Sequence, residues 1–271
     1  MVKKMDDLKI IDAHSHIWSK EFDEDRTRII EDSIRNNVHS IIEVGCDLES
    51  SIKALELSKQ HPFIFSVAGL HPHDANKFQK EKNDLFQLAS SNPFVAIGEI
   101  GLDFYRMHSD KESQRIAFTQ QLDLAVELNL PIVIHSRDAA EETLEIIKQW
   151  KQRAGEYLGQ QSPVGMMHCF SGNFALASEY ANLGFMISIP GTITYPKNIV
   201  LRELVSKIPA SKLLIETDTP YLTPVPHRGK RNETSFINYT LEEIANIKKT
   251  AKSEIAKVIY DNTISFFKLV I

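Results

Sequence analysis

Short apolar runs alternate with longer amphipathic segments along almost the whole chain. The short runs are continuously apolar and do not strictly alternate, which is typical of parallel strands covered on both faces. They predict eight strands, at residues 8–13, 40–44, 63–68, 94–98, 132–134, 164–167, 185–189 and 213–217. The intervening and following segments predict helices at residues 25–36, 48–60, 83–90, 111–129, 139–151, 173–182, 198–207, 241–249 and 253–267.

Eight strands alternating with helices predict an α/β protein built as a (β/α)8 TIM barrel, a fold of about 250 residues. The chain has 271 residues, of which 42% are hydrophobic, enough for one large core. No low-complexity linker or repeat divides it, so we expect a single domain over residues 1–271. A doubly wound open sheet is the alternative that the same alternation allows.

His14 and His16 leave the first predicted strand two residues apart. Successive strand residues point to opposite faces, so both imidazoles point the same way, with Cα atoms roughly 6.6 Å apart. Two imidazoles at that spacing can bind one metal ion at about 2.1 Å from each nitrogen. A histidine pair alone is weak evidence, because such pairs are often surface or core residues without a ligand.

Catalytic residues of TIM barrels lie at the carboxyl ends of the strands. Polar side chains follow five of the eight predicted strands, and these are His14, His16, Glu99, His135, His168 and Asp218. Each of them alone could simply form a hydrogen bond at a strand end. Because they recur on one rim, the set predicts a metal site.

Net charge and cysteine content limit the partners and the compartment. The net charge of −5 gives no general attraction for nucleic acid, so phosphate contacts have to be local. Cys46 and Cys169 are too few for a disulfide framework, and residues 1–7 contain no secretory apolar segment. No apolar run approaches the ~20 residues of a membrane span. We expect a cytoplasmic protein without membrane contact, and a monomer as the first hypothesis for its oligomeric state.

The loop at residues 226–232 concentrates positive charge after the last predicted strand, where barrel enzymes often bind phosphate. Arg228 offers a fork that matches phosphate oxygens, Gly229 lets backbone N–H groups approach an anion, and Lys230 and Arg231 add charge. The ordinary alternative is a solvated charged surface. The position of the loop soon after Asp218 favours substrate binding.

Four further residues are candidates around the predicted site. His71 and Arg137 are predicted to contact the substrate, although a structural loop histidine and a surface ion pair are the ordinary alternatives. Tyr105 could stack on a base. Glu216 precedes Asp218 by two residues on the same strand face, so it either orients a ligand imidazole or a water, or only accepts a hydrogen bond.

Six motifs of the sequence resemble those of the TatD family of metal-dependent deoxyribonucleases, within the amidohydrolase-like TIM-barrel hydrolases. They are DAHSH (12–16), AGLHPHD (68–74), AIGEIGLDFYR (96–106), PIVIHSRDA (131–139), HCFSG (168–172) and LLIETDTPYLTPVPHRGKRNE (213–233). The resemblance implies metal ligation by His14, His16, Glu99, His135, His168 and Asp218. Two positions depart from the family pattern. Ile17-Trp18 stands where Leu-Asp is frequent, and Thr234 follows Glu233 where proline is usual.

Phosphodiester hydrolysis near neutral pH needs a hydroxide, neutralised phosphate oxygens and help for the leaving alkoxide. Two divalent ions roughly 3.5–4 Å apart supply all three, and Zn²⁺, Mn²⁺ or Mg²⁺ suits a site of carboxylates and imidazoles. Glu99 is predicted to bridge the ions and Asp218 to accept the proton of the water. The predicted ligands are His14, His16, Glu99 and Asp218 for one ion, and Glu99, His135 and His168 for the other.

The leading prediction is an exonuclease-type deoxyribonuclease that cuts DNA, or RNA, with a metal-activated water. One alternative is a related hydrolase of a small amide, ester or lactone. Another is a metal-binding module without catalysis, which is disfavoured because ligands around an open barrel mouth leave coordination positions for water. The basic loop favours an anionic phosphate substrate.

Overall fold

The structure is a computed structural model that describes residues 8–154 and 164–271. Residues 1–7, in which no apolar leader was expected, lie outside this range. The strands in the described residues are Ile10–Ser15 (β1), Val38–Val44 (β2), Ile64–Ala68 (β3), Ala96–Asp103 (β4), Ile132–Arg137 (β5), Gly165–Met167 (β6), Phe185–Ile189 (β7) and Leu213–Ile215 (β8). The helices are Arg26–Arg35 (α1), Leu48–Gln60 (α2), Phe78–Ser91 (α3), Lys111–Glu127 (α4), Ala140–Ala154 (α5), Phe174–Asn182 (α6), Ile199–Lys207 (α7), Ile237–Lys248 (α8) and Lys252–Phe267 (α9).

The eight strands form one parallel sheet in chain order, β1 to β8. Its two edges meet at a seam just beyond β8. There, Asp218 N donates to His14 O and His16 N donates to Thr219 O, each at 3.0 Å. The predicted (β/α)8 barrel is therefore confirmed, and the doubly wound alternative is wrong.

Each strand contributes to an apolar cluster inside the barrel. Its members from the strands include Ile11, Ile42, Val67, Ala96, Val133, Met166, Met186 and Leu214. Phe266 and Phe267 of α9 belong to the same cluster. A larger apolar cluster packs the outer strand faces against the helices. The strands are thus covered on both sides, as their continuous apolar runs predict. No helix of the described residues is both long and apolar enough to cross a membrane.

Three strands run further than predicted at their carboxyl ends. β1 continues to Ser15, β4 to Asp103 and β5 to Arg137, so His14, Glu99 and His135 lie inside their strands and not after them. The apolar runs stop earlier because the last strand residues carry polar side chains of the site, although their backbones still form hydrogen bonds with the neighbouring strands. α3 and α8 begin five and four residues before the predicted starts, where Phe78 and Ile237 are already buried.

Candidate metal centre

Two irregularities in the sheet turn the site residues toward the barrel axis. Between Asp12 and Ser15, β1 advances three residues while its partner β2 advances two. β4 gains one residue on β5 in the same way, between Ile97 and Ile100. Such bulges reverse which face the following side chains occupy. The interior alternation of Ile11 and Ala13 would otherwise send His14 outward. His135, His168 and Asp218 need no such shift, since they continue the interior positions of their strands.

One group of donor atoms surrounds Glu99 Oε2. His14 Nε2 lies 3.5 Å from this oxygen and 3.9 Å from Asp218 Oδ1. His16 Nε2 lies 3.9 Å and 3.5 Å from the same two atoms, and 3.0 Å from His14 Nε2. Four ligands at about 2.1 Å from a tetrahedral ion lie roughly 3.4 Å apart. The ligand atoms of His14, His16 and Asp218 are close enough together to hold one divalent ion, and Glu99 Oε2 adjoins both histidines.

A second group surrounds the other oxygen, Glu99 Oε1. It lies 2.8 Å from His135 Nδ1, 3.4 Å from His71 Nε2 and 3.5 Å from His168 Nε2. Asp218 Oδ1 lies 3.8 Å from His168 Nε2 and so adjoins both groups. All six predicted ligands therefore come together in one cluster around the two Glu99 oxygens, and the assignment of each to one of two ions stays a prediction. Their roles as ligands stay predictions.

Hydrogen bonds outside the cluster fix which nitrogen the imidazoles of His16, His168 and His135 present to it. His16 Nδ1 donates to Val44 O at 2.8 Å, and His168 Nδ1 donates to Glu216 Oε2 at 3.1 Å. Both rings therefore present the Nε2 lone pair, which is the form that binds a metal. Glu216 is itself held by Ser188 Oγ, which donates to it at 2.6 Å.

His135 is oriented the other way round. Its Nε2 donates to Asp103 Oδ2 at 3.0 Å, so Nδ1 faces Glu99. Asp103 is fully buried and also accepts from His73 Nε2 at 2.9 Å and from two backbone N–H groups. Asp103 is not among the residues predicted for the site. The available signal was its place in the AIGEIGLDFYR motif, four residues after Glu99 and on the same strand face.

His71 differs from these three histidines. The backbone N–H of His73 donates to His71 Nδ1 at 3.1 Å, so the neutral ring carries its proton on Nε2. That N–H points at Glu99 and makes His71 a hydrogen-bond donor beside the cluster. A ring that donates from Nε2 is suited to the predicted contact with the substrate and not to metal ligation through that nitrogen.

The carboxylates of the cluster are anionic. Burial alone would raise the pKa of Glu99, but the imidazoles of His71 and His168 hold this pKa well below its usual value. Burial also opposes ionisation of Asp218, yet the adjacent His16 imidazole, in its protonated form, keeps the pKa of Asp218 below the usual range. In the described residues, no lysine or arginine forms an ion pair with these two carboxylates.

The histidines respond to this negative charge. Burial lowers the pKa of His14 and of His71 to about 4. Burial also disfavours the charged form of His168, but Glu216 and Glu99 raise its pKa to about 9. The cluster thus draws positive charge, which a divalent cation supplies when the imidazoles are neutral. Its donor chemistry fits a metal ion.

The turn after His16 departs from the family pattern, and Glu43 of β2 occupies the space beneath it. This buried carboxylate accepts backbone N–H groups from Ile17 at 3.3 Å and Trp18 at 3.0 Å, and a hydrogen bond from Ser15. A carboxylate from the neighbouring strand therefore supports the turn where the chain lacks the usual aspartate.

The predicted substrate residues lie on the rim around the cluster. The Arg137 guanidinium lies 4.0 Å from the ring centroid of Tyr105, which is 56% exposed. The Arg228 guanidinium lies 4.5 Å from the ring of Tyr195, a residue that the sequence analysis did not single out. Lys230 is exposed. Substrate contact by these residues stays a prediction.

Arg231 does not share the position expected for the basic loop. Its guanidinium donates twice to Asp25, at 2.8 and 2.6 Å, and lies 4.3 Å from the ring of Phe22. It also lies 3.5 Å from Glu233. Its charge is neutralised by acidic groups, so Arg231 anchors the loop to the segment before α1. The positive charge left for an anion comes from Arg228 and Lys230.

The model of TatD-related DNases matches residues 11–268 of the chain. The chain belongs to the TatD family. The uncharacterized metal-dependent hydrolase YabD of Bacillus subtilis is 37% identical to it over 263 residues, covering 96% of this chain and 99% of YabD. The 3′-5′ ssDNA/RNA exonuclease TatD of Escherichia fergusonii is 35% identical over 243 residues, covering 87% and 90%.

A solved structure of the TatD family shares the architecture. The crystal structure of YjjV, a TatD homolog from Escherichia coli K12, matches this chain with a TM-score of 0.87 and 27% identity, covering 97% of this chain and 100% of YjjV. The resemblance to the TatD family that the motifs indicate is therefore confirmed.

Proposed function

We propose that this TatD-family hydrolase removes nucleotides from the 3′ end of single-stranded DNA or RNA, with two divalent ions held by the Glu99 cluster. The observation that carries the proposal is the division of the cluster into two donor groups on the two oxygens of Glu99. Relatives named as a metal-dependent hydrolase and as a 3′-5′ ssDNA/RNA exonuclease support it.

Each group of residues has a separate role in this reaction. Bound divalent ions supply a hydroxide near neutral pH and offset the charge that builds up on the phosphate. Glu99 holds the two donor groups together. Asp218, whose Oδ1 adjoins both groups, accepts a proton from the attacking water. His71 donates its Nε2 proton in a hydrogen bond to a substrate oxygen. Glu216 keeps the His168 ring in position.

Charged and aromatic groups on the rim select the substrate. Arg137, Arg228 and Lys230 contact backbone phosphates, and they give an otherwise acidic protein its local affinity for an anion. Tyr105, with its exposed ring, contributes stacking that tolerates any base. A small neutral amide or ester makes none of these contacts, which favours the nucleic-acid substrate.

The test is cleavage of end-labelled single-stranded oligonucleotides by protein reconstituted with Mn²⁺, Zn²⁺ or Mg²⁺. Glu99→Gln keeps the side-chain shape but removes the charge that both groups share, so activity should fall by several orders of magnitude. Glu56→Gln, an exposed glutamate on α2, is the matched control. Near-normal turnover of Glu99→Gln would disprove the shared role of Glu99. A wild type that hydrolyses a small ester but no oligonucleotide would reverse the substrate assignment.

A further inference from the structure

Two arginine–tyrosine pairs stand on the barrel rim. In each pair a guanidinium lies close to a tyrosine ring, Arg137 on Tyr105 at 4.0 Å and Arg228 on Tyr195 at 4.5 Å. Both arginines are exposed, and within residues 8–154 and 164–271 neither forms an ion pair with a carboxylate. This distinguishes them from Arg231, whose charge is paired with the carboxylate of Asp25.

The order of the strands places the pairs on either side of His168. Tyr105 follows β4 and Arg137 ends β5, whereas Tyr195 follows β7 and Arg228 follows β8. His168, which follows β6, lies between them. β5 and β8 are three strand intervals apart, roughly 14 Å along the sheet. A single phosphate cannot contact both arginines, but two phosphates of one strand that are not direct neighbours can.

The part of the rim next to β8, across the seam to β1, has the opposite charge. The segment after β1 exposes Glu21, Asp23 and Glu24. Arg26, in the same region, already donates to Asp23 at 2.7 Å and to backbone carbonyls. An anionic strand is therefore repelled from the β1 side and attracted to the side from β5 to β8.

Stacking on tyrosine prepares each arginine for a phosphate. The ring covers one face of the guanidinium and restricts its rotamers, while the N–H groups at its edge stay free for the two-pronged phosphate contact. A side chain held in its binding conformation loses less entropy on association. Tyr195 is itself fixed by its hydroxyl, which donates to Thr223 O at 2.9 Å.

We propose that the two pairs bind two non-adjacent phosphates of one single strand, which crosses the mouth over β6 and avoids the β1 side. This inference rests on the proposed function and adds Tyr195 to the substrate site. It also assigns Tyr105 a role as support for Arg137 in addition to any base contact.

The test measures binding separately from cleavage. Fluorescence anisotropy of labelled single strands is recorded across a salt series in the Glu99→Gln background, so that the strand is not consumed. Arg137→Ala and Arg228→Ala should each reduce the log–log salt slope by roughly 0.7, and the double variant by roughly 1.4. Tyr195→Ala should weaken binding about two- to fivefold, whereas Tyr195→Phe keeps the ring and should restore the affinity. Lys20→Ala, on the acidic side, is the matched control and should leave the slope unchanged.

Two results would overturn the inference. One is an unchanged slope in the double arginine variant, and the other is an equal loss of slope in Lys20→Ala. These readouts do not depend on catalysis. Salt-dependent binding through the two arginines, combined with no oligonucleotide cleavage by the wild type, would instead remove the nuclease proposal and leave the strand path standing.

Discussion

The chemistry of the centre is set by atoms one step outside the predicted ligands. The His16, His135 and His168 rings each have one nitrogen held by an oxygen acceptor, so the other nitrogen faces the cluster. The acceptors have different origins, a strand carbonyl in the first case and buried carboxylates in the others. A partner of this kind fixes the tautomer and increases the basicity of a ligand imidazole.

Asp103→Asn should therefore weaken metal binding while the fold is retained. The change keeps the shape but removes the negative charge that accepts from His135 Nε2. We expect the dissociation constant for Mn²⁺ to rise about 10- to 100-fold, measured by calorimetric titration. Asp84→Asn, an exposed residue of α3, is the control. An unchanged affinity in Asp103→Asn would show that His135 needs no such partner.

Individual site residues can be predicted from the sequence where they belong to recognisable motifs at strand ends. All six predicted ligands come together, because parallel strands of a barrel deliver their carboxyl ends to one rim. Asp103 could not be predicted in the same way. Its contact with His135 depends on β4 continuing past Glu99 and pairing Asp103 with Arg137, and the apolar run ending at Gly98 does not indicate either.

Whole elements show a second limit of prediction from pattern. Alternation places His14 and His16 on one face, but one extra residue in β1 decides that this face is the interior. An extra residue in β4 does the same for Glu99. A continuously apolar run has the same pattern with or without a bulge, so the position of the bulge cannot be predicted from the sequence. The basic loop is a similar case, because charge alone does not separate Arg228 from Arg231.

The ion pair between Arg231 of the basic loop and Asp25, just before α1, predicts a pH-dependent stability. Hydrogen bonds from Arg231, and then from Arg28, lower the pKa of Asp25 to about 2. A carboxyl whose folded pKa is lowered stabilises the protein above its unfolded pKa, near 3.8, and loses this contribution as the pH falls toward 2. Arg231→Ala should therefore cost up to about 1 kcal/mol of unfolding free energy at pH 7, and less at pH 3.

Urea denaturation of the variant and the wild type at both pH values measures this difference. Arg35→Ala, which removes ion pairs that are more exposed on α1, is the control and should cost less at pH 7. A cost of Arg231→Ala that is the same at pH 3 and pH 7 would mean that its contact with Phe22, and not the ion pair, holds the loop.

On the scale of the whole molecule, the apolar barrel and the polar centre make separate contributions. Side chains from every strand, together with α9, fill the interior without using the site residues. The barrel should fold without metal. The anionic carboxylates at its mouth repel one another, however, so a bound cation stabilises the folded state.

Chelation should abolish hydrolysis and leave the circular dichroism spectrum unchanged. Adding back Mn²⁺ to a free concentration 100-fold above its dissociation constant should stabilise the fold by about 2.7 kcal/mol. For a chain of this size that corresponds to a rise in Tm of roughly 5–10 °C. Differential scanning calorimetry over a range of Mn²⁺ concentrations provides the measurement. A Tm independent of Mn²⁺ would contradict binding at the cluster.

The seam between the first and last strands determines when the centre can form during synthesis on the ribosome. Its two hydrogen bonds join His14 and His16 to the segment at Asp218, more than 200 positions later in the chain. A polypeptide still emerging from the ribosome has the first pair of imidazoles almost from the start, yet cannot assemble the centre until the eighth strand is released. The hydrolytic centre therefore forms only after the eighth strand has left the ribosome, so the nascent chain lacks the activity of the folded enzyme.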